Sequence, residues 1–252
     1  MSDNVLVSDQ YFEQKKEEWE NYNSNARMRF FKRINIAPYR VRKAIRYGIG
    51  TFMLVELVND IFLVERPAIY ADVLHDVHVM LALSTGQTVF TTIGINGPAT
   101  AKEARVTTIV RHLDQIVSGC LQLRTYWRMA QINADWKGSL LTLLIPYIIM
   151  TICLYLLDLK MINAKIGYAI AAACLVFILV EVWTIRNFAH KKGVYLTSLA
   201  AFFFLWILYI IPRFCKNFEV RDSIFVFLDG LQRVGYTAVL AAVINHLTHP
   251  EL

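Results

Sequence analysis

Long hydrophobic runs separated by short polar stretches fill the chain between residues 43 and 247. Two of these runs, residues 138–157 and 193–212, contain no charged side chain and match the roughly 20 residues that a membrane-spanning helix needs. The other apolar runs each carry one or more ionisable residues. The pattern predicts an all-α protein whose residues 43–247 form a seven-transmembrane-helix bundle.

A polar arm, residues 1–42, precedes the first hydrophobic run. Ser8 or Asp9 is a suitable N-cap for a predicted helix over residues 10–22. The residues between positions 27 and 46 are rich in Arg and Lys, which suits a segment that lies on anionic lipid headgroups. Residues 248–252 are predicted to be a short tail. The predicted arm helix carries four aromatic residues as a contact stripe: Tyr11, Phe12, Trp19 and Tyr22.

Composition supports a membrane location. The chain has 252 residues, of which 56% are hydrophobic, and this fraction is too high for an ordinary soluble domain of that length. We therefore expect a multi-pass integral membrane protein of the plasma membrane or of an organellar inner membrane. Because the basic stretch adjoins a predicted span, the formal net charge of +6 favours lipid headgroups over nucleic acid as its partner.

No constellation of residues predicts an enzyme, a cofactor or a metal centre. The sequence contains no phosphate-binding loop, no zinc-ligand spacing and no evident nucleophile and base. The second predicted span begins with Asp72, His75, Asp76 and His78, which are possible ligand types, but their spacing defines no coordination sphere. We expect these side chains to face an interface or a partner.

The last hydrophobic run contains the sequence Leu-Asp-Gly-Leu-Gln-Arg-Val-Gly-Tyr at residues 228–236. Asp229 and Arg233 stand four residues apart, so a helix places them on one face. The segment resembles the seventh helix of the microbial (type 1) rhodopsins, whose pattern is Leu-Asp-x-x-x-Lys-Val-Gly-Phe. That lysine forms the retinal Schiff base, and an arginine cannot form this imine because its guanidinium stays protonated.

The third predicted span extends the resemblance. The family pattern Arg-Tyr-x-Asp-Trp-x-x-Thr-Thr-Pro corresponds here to Arg111, Asp114 and Ser118, with two changes. Gln115 stands where the family has the tryptophan that stacks on retinal, and Cys120 stands where it has proline. The resemblance implies that Arg111 and Asp114 belong to the charge cluster beside the former Schiff base.

The fifth and sixth predicted spans match the family less closely. Tyr168 occupies a position that lines the ring end of the retinal pocket in the family. The family pattern Trp-x-x-Tyr-Pro-x-x-Trp of the sixth helix corresponds to Leu199, Phe202, Phe203 and Trp206, so one of its two tryptophans remains. The polyene of retinal is normally held between the tryptophans that Gln115 and Leu199 replace. The resemblance therefore implies a member of the fold without a chromophore.

A charge argument connects these changes. Removing the protonated Schiff base from a rhodopsin leaves two carboxylates facing each other at low dielectric, which is unfavourable by several kcal/mol. Arg233 supplies a permanent cation at the same helical position. We expect its planar fork to bind both Asp114 and Asp229, so that the bundle stays neutral without a ligand.

Three functional classes are open. The favoured one is a structural or accessory subunit of a membrane assembly, with protein partners bound through the arm and the lipid-facing helices. The second is a membrane sensor or transporter that binds an apolar ligand non-covalently in the residual pocket. The third is a proton or ion pathway that needs no retinal and uses Glu56, Asp60, Asp72, Asp76, Arg111, Asp114, Glu181 and Asp229.

The two guides to orientation disagree. Lys and Arg are more frequent on the side of the predicted bundle that carries the N-terminus, and the positive-inside rule then puts the N-terminus inside. The family resemblance implies an N-terminus outside. We favour the inside orientation.

Overall fold

A computed structural model describes residues 37–63, 67–134, 136–189 and 193–249. These parts of the chain contain helices and connections and no β-strand, so the all-α prediction is confirmed for them. The predicted arm helix and the first half of the basic segment, residues 27–36, lie outside the described residues. The helices are α1 (Pro38–Leu63), α2 (Ala71–Ile93), α3 (Ala101–Ala134), α4 (Leu141–Asp158), α5 (Ala164–Phe188), α6 (Gly193–Phe204) and α7 (Phe218–Thr248).

Local sequence signals explain several helix boundaries. Proline at the first position of α1, Pro38, has no backbone N–H to leave unpaired and its φ angle already suits a helix. Asn163 caps α5 by accepting a hydrogen bond from the backbone N–H of Lys165, and Asn217 caps α7 in the same way. α1 thus begins five residues before the predicted start of the helical domain, and α7 ends at the predicted start of the tail, Thr248.

The second half of the sixth hydrophobic run is a 3₁₀-helix. It spans Leu205–Phe214 and continues directly from α6. Ten residues of 3₁₀-helix is unusual, since such segments rarely exceed three or four residues. Pro212 near its end lacks a backbone donor and so prevents a regular α-helical hydrogen bond there.

The helices pack in chain order and then close on themselves. Each helix contacts the next one along the chain, and α7 contacts α1, so the contacts form a ring. α2 and α7 also touch, as do α3 and α6. α1 and α7 run in the same direction, because Arg42 bonds Glu219 near the start of both helices and Ile49 lies against Gly230 further along.

Large buried side chains fill the centre of this ring. Tyr126, Phe203 and Tyr236 are fully buried and pack edge-to-face or tilted against one another. α3 and α4 approach closely at Gly119, where a Cβ atom would overlap the ring of Tyr147. The apolar core is therefore shared by helices from both halves of the chain.

Four of the described helices are long and apolar enough to cross a membrane. They are α4, α5, α6 together with its 3₁₀ extension, and α7. Less than a third of the most apolar window of α4, α5 or α6 is buried within the protein, so most of their hydrophobic surface faces outward. These features are those of a membrane protein with several spanning helices.

Candidate functional site

The centre of the candidate site is the guanidinium of Arg233 on α7. Its Nη2 atom lies 2.6 Å from Oδ2 of Asp114 on α3 and 3.6 Å from Oδ1 of Asp229. All three side chains are buried. The contact with Asp114 is a close ion pair rather than an aligned hydrogen bond. The three side chains that were expected to lie together are therefore neighbours in the structure.

The expectation that the planar fork of Arg233 binds Asp114 and Asp229 through different nitrogens is wrong. Both carboxylates approach the same nitrogen, Nη2, and Nη1 of Arg233 has no hydrogen-bond partner among the described residues. The geometry follows from the helix: Asp229 is on the same helix one turn away, so it reaches the side of the guanidinium that Asp114 already occupies. The planar fork therefore does not bridge the two acids.

Two hydroxyl groups complete the surroundings of Asp114. Ser84 on α2 and Ser118 on α3 donate to its Oδ1 at 3.0 and 3.1 Å. Ser118, which corresponds to the first threonine of the family pattern, therefore contacts this acid directly. Ser84 was not singled out in the sequence, because a lone serine in an apolar helix carries no distinctive pattern.

A line of polar side chains leads away from Asp229. The Tyr209 hydroxyl donates to Oδ1 of Asp229 at 2.7 Å and lies 2.9 Å from Oε1 of Gln232. Gln232 donates to Gln122 at 3.2 Å. The Tyr236 hydroxyl donates to the backbone carbonyl of Gln122. These contacts tie α3, α7 and the 3₁₀ segment together through buried hydrogen bonds.

Arg111 does not join the Arg233 cluster. It donates instead to Oδ1 of Asp222 at 3.3 Å, and its guanidinium stacks over the ring of Phe225 at 4.1 Å. The resemblance implies that Arg111 and Asp114 share one charge cluster. This implication is wrong for direct contacts, because Arg111 pairs with Asp222. Matching the sequence to the family pattern without gaps places Arg111 on the right helix. Its ion-pair partner, however, is the carboxylate that lies nearest in the folded structure.

A second buried charge cluster surrounds Asp222 near the start of α7. Both oxygens of Asp222 accept from Arg46 of α1, with distances between 2.7 and 2.9 Å. Nε of Arg42 lies 3.4 Å from the same carboxylate. One fully buried acid thus holds arginines from α1 and α3 on α7. The bidentate geometry with Arg46 is the arrangement that gives an arginine–carboxylate pair its strength.

Arg42 extends the second cluster to two further acids. Its Nη1 donates to Glu219 at 2.8 Å, and its Nη2 pairs with Glu103 at the start of α3. Three acids on two helices, Asp222, Glu219 and Glu103, thus surround one fully buried guanidinium.

The sequence contained a signal for this second cluster. Glu219 and Asp222 lie on the same stripe of α7 as Asp229, because seven residues, or two turns, separate Asp222 from Asp229. Arg42 and Arg46 likewise stand four apart. The basic segment around these two arginines predicts a contact with lipid headgroups instead, since local spacing does not reveal a partner on a distant helix.

A third set of buried charges lies where α3, α4 and the 3₁₀ segment meet. Asp158 at the end of α4 accepts from Arg213 at 3.2 Å and lies 2.8 Å from Nε2 of His112. Arg213 also donates to the backbone carbonyl of Tyr209 at 2.9 Å. Arg213 therefore links Asp158 of α4 to the 3₁₀ segment, which carries Tyr209, the hydrogen-bond donor to Asp229.

Three of the positions inferred to have lined the retinal pocket line a cavity of about 310 Å³: Gln115, Tyr168 and Trp206. Leu199, Phe202 and Phe203 do not line it. Leu199 is buried in the apolar core, and both phenylalanines pack on Tyr236 of α7. The pocket inferred from the family resemblance is therefore divided between a cavity and filled core.

The acids proposed for an ion pathway do not form one group. His78 Nε2 lies 2.6 Å from Asp60, Arg124 contacts Asp76 at 3.2 Å, and Arg128 pairs with Asp72. In the described part of the chain, no three His, Cys, Asp or Glu residues converge as metal ligands would. Three of the four candidate ligands of α2, Asp72, Asp76 and His78, instead have separate partners on α1 and α3.

Comparison of the sequence with protein-family models and with curated proteins gives no match. The resemblance to microbial rhodopsins consequently depends on the sequence motifs of α3 and α7.

The Arg233 cluster predicts a large effect of removing its cation. Replacing Arg233 with Met leaves Asp114 and Asp229 unbalanced at low dielectric, and we expect a loss of roughly 3–5 kcal/mol in unfolding free energy. Adding Asp114→Asn and Asp229→Asn to that variant is expected to recover part of the loss. Unfolding in detergent, followed by circular dichroism, measures both effects.

Arg128→Met is the matched control for this experiment. The Arg128 side chain is 28% exposed and its partner, Asp72, is 72% exposed, and an exposed pair contributes about 1 kcal/mol or less. Equal losses for Arg233→Met and Arg128→Met would contradict a central role for the buried pair.

The second cluster predicts different effects for two acids that share Arg42. Asp222 is fully buried and holds three arginines, so Asp222→Asn is expected to reduce the unfolding free energy by roughly 3–5 kcal/mol. The Glu103 side chain is 24% exposed, and Glu103→Gln is expected to cost about 1 kcal/mol or less. A chemical-denaturation series on both variants gives the comparison, and a larger loss for Glu103→Gln would refute the assignment of Asp222 as the main anchor.

Proposed function

We propose that the chain is a seven-span, rhodopsin-like integral membrane protein that carries no retinal and acts as a structural or accessory subunit of a membrane assembly. The observation that carries the proposal is the guanidinium of Arg233 held between Asp114 and Asp229. A permanent cation occupies the position of the Schiff base. The interior charges are then balanced by protein groups alone.

The seven-span topology is supported by how the polar residues of α1–α3 are used. These helices fall short of the apolar composition of α4–α7, but much of their polarity points inward: Thr88, Thr92 and Arg111 are buried. Their outward positions include large apolar groups such as Phe52 and Phe90. Ionisable residues within spanning helices characteristically face the interior and pair with one another.

The contacts favour a scaffold over a proton or ion pathway. A pathway needs groups that take up and release protons in sequence, but Arg233 stays charged at all physiological pH values. Asp72 and Asp76 each pair with an arginine of α3. These two acids are therefore suited to holding α2 against α3.

The arm supplies the element for partner binding. A helix of 13 residues such as 10–22 is marginal by itself in water, and four aromatic side chains are unnecessary in a solvated tail. The described helices already contact one another in a closed ring. Both features are explained if the arm folds against another subunit.

The absence of a lysine at position 233 predicts that purified protein stays colourless when all-trans retinal is added. Arg233→Lys is expected to restore little pigment, because Gln115 and Leu199 leave the polyene unclamped. Absorption spectra before and after borohydride treatment provide the measurement. A visible band in the unmodified protein that borohydride bleaches would overturn the retinal-free assignment.

Deletion of residues 1–25 tests the accessory role. We expect the truncated protein to fold and insert normally but to lose the partners that co-purify with the intact chain in mild detergent. The control replaces Lys15 and Lys16, predicted to face water, with Gln and is expected to retain those partners. Mass spectrometry of the purified material gives the subunit ratios, and unchanged ratios after truncation would refute partner binding by the arm.

A further inference from the structure

The cavity of about 310 Å³ lies among α3, α4, α5, the 3₁₀ segment and α7. Its walls are mainly apolar, with Met150, Leu154, Leu175 and Ile207 among the lining residues. The volume falls at the lower end of the range for small-molecule sites. An apolar wall with a few polar groups is the usual composition of such a site.

Two buried hydrogen-bond donors on the lining residues have no acceptor among the described residues. They are Nε2 of Gln115 on α3 and Nε of Arg213 on the 3₁₀ segment. The Arg213 side chain is only 5% exposed. Leaving a buried donor unpaired costs about 1–3 kcal/mol, so a molecule that brings an acceptor to either group gains more than apolar contact alone provides.

The charges around Arg213 determine what kind of acceptor fits. Its guanidinium already pairs with Asp158, which also contacts His112. A bound anion would compete with Asp158 for a cation that is already neutralised, and it would add an uncompensated charge at low dielectric. A neutral acceptor such as an ester or ketone carbonyl meets the free N–H without that cost.

The rim of the cavity indicates where the ligand comes from. Ala172 on α5 and Ile207 and Ile210 on the 3₁₀ segment line the cavity and are exposed. In a membrane these outward-facing residues contact the acyl chains of lipids. A molecule dissolved in the bilayer can therefore enter laterally between α5 and the 3₁₀ segment.

We propose that this cavity binds a neutral, bilayer-soluble molecule whose apolar body fills the space and whose carbonyl oxygen accepts hydrogen bonds from Gln115 and Arg213. The proposal goes beyond the accessory role. It requires that the helices lie in a bilayer, and it is independent of whether the arm binds a partner.

Fluorescence quenching with brominated chains tests the proposal, because Trp206 lines the cavity and bromine in contact quenches tryptophan. The probes are methyl bromoundecanoate, bromododecane and the bromoundecanoate anion, each brominated at the chain end and added to full-length protein in lipid nanodiscs. We expect the ester to bind about 5-fold or more tightly than the alkane, as one net hydrogen bond implies, and more tightly than the anion. The saturable part of the ester-dependent quenching is expected to disappear in Trp206→Phe, which leaves the non-saturable quenching of outward-facing tryptophans such as Trp183.

Two variants assign the donors. Gln115→Leu and Arg213→Lys each remove one unpaired N–H, and Arg213→Lys keeps the positive charge beside Asp158. Each is expected to reduce the preference for the ester over the alkane by about 3-fold or more. The matched control is Gln131→Leu, on α3 outside the cavity, which is expected to keep the full preference.

Several outcomes would overturn the proposal. Equal binding of ester and alkane by the unmodified protein would exclude a role for the carbonyl, whatever the variants do. Tighter binding of the anion would exclude a neutral ligand. Saturable quenching that persists in Trp206→Phe would place the probe elsewhere. Loss of partners on arm deletion is measured separately, so failure here leaves the accessory role intact.

Discussion

The pairing of charges inside the helical ring is the constraint on which the rest of the structure depends. An isolated charge at low dielectric is unfavourable by several kcal/mol, and a pair is tolerated when its geometry and hydrogen bonds compensate for desolvation. Arg233 meets this condition through Asp114 and Asp229, and Asp114 is further bound by Ser84 and Ser118. Buried pairs of this kind specify which helix faces meet, because any other arrangement leaves a charge alone.

One stripe of α7 carries most of this pairing. Asp222 at its start binds arginines of α1 and α3, Asp229 accepts from Tyr209 of the 3₁₀ segment, and Arg233 pairs with α3. Successive turns of a single helix thus contact three other elements. This arrangement explains why the most polar of the four apolar helices is also the most buried one.

The polar line and the cavity meet at Tyr209 and Gln232. Both residues line the cavity, and both belong to the hydrogen-bonded chain that begins at Asp229. A group bound in the cavity therefore borders the central charge cluster without replacing its cation. A ligand in the cavity beside Gln115 and Trp206 thus leaves the ion pairs of Arg233 in place.

Local pattern determined the helical class, the two charge-free runs and the Asp229–Arg233 pair, because residues four apart on a helix share a face whatever surrounds them. Tertiary structure decided the partners. Arg42 bonds Glu219 across 177 positions of sequence, and Arg111 turns to Asp222 rather than to Asp114. Helical periodicity reports the direction of a side chain on its own helix, but the acid that it meets depends on how several helices pack together.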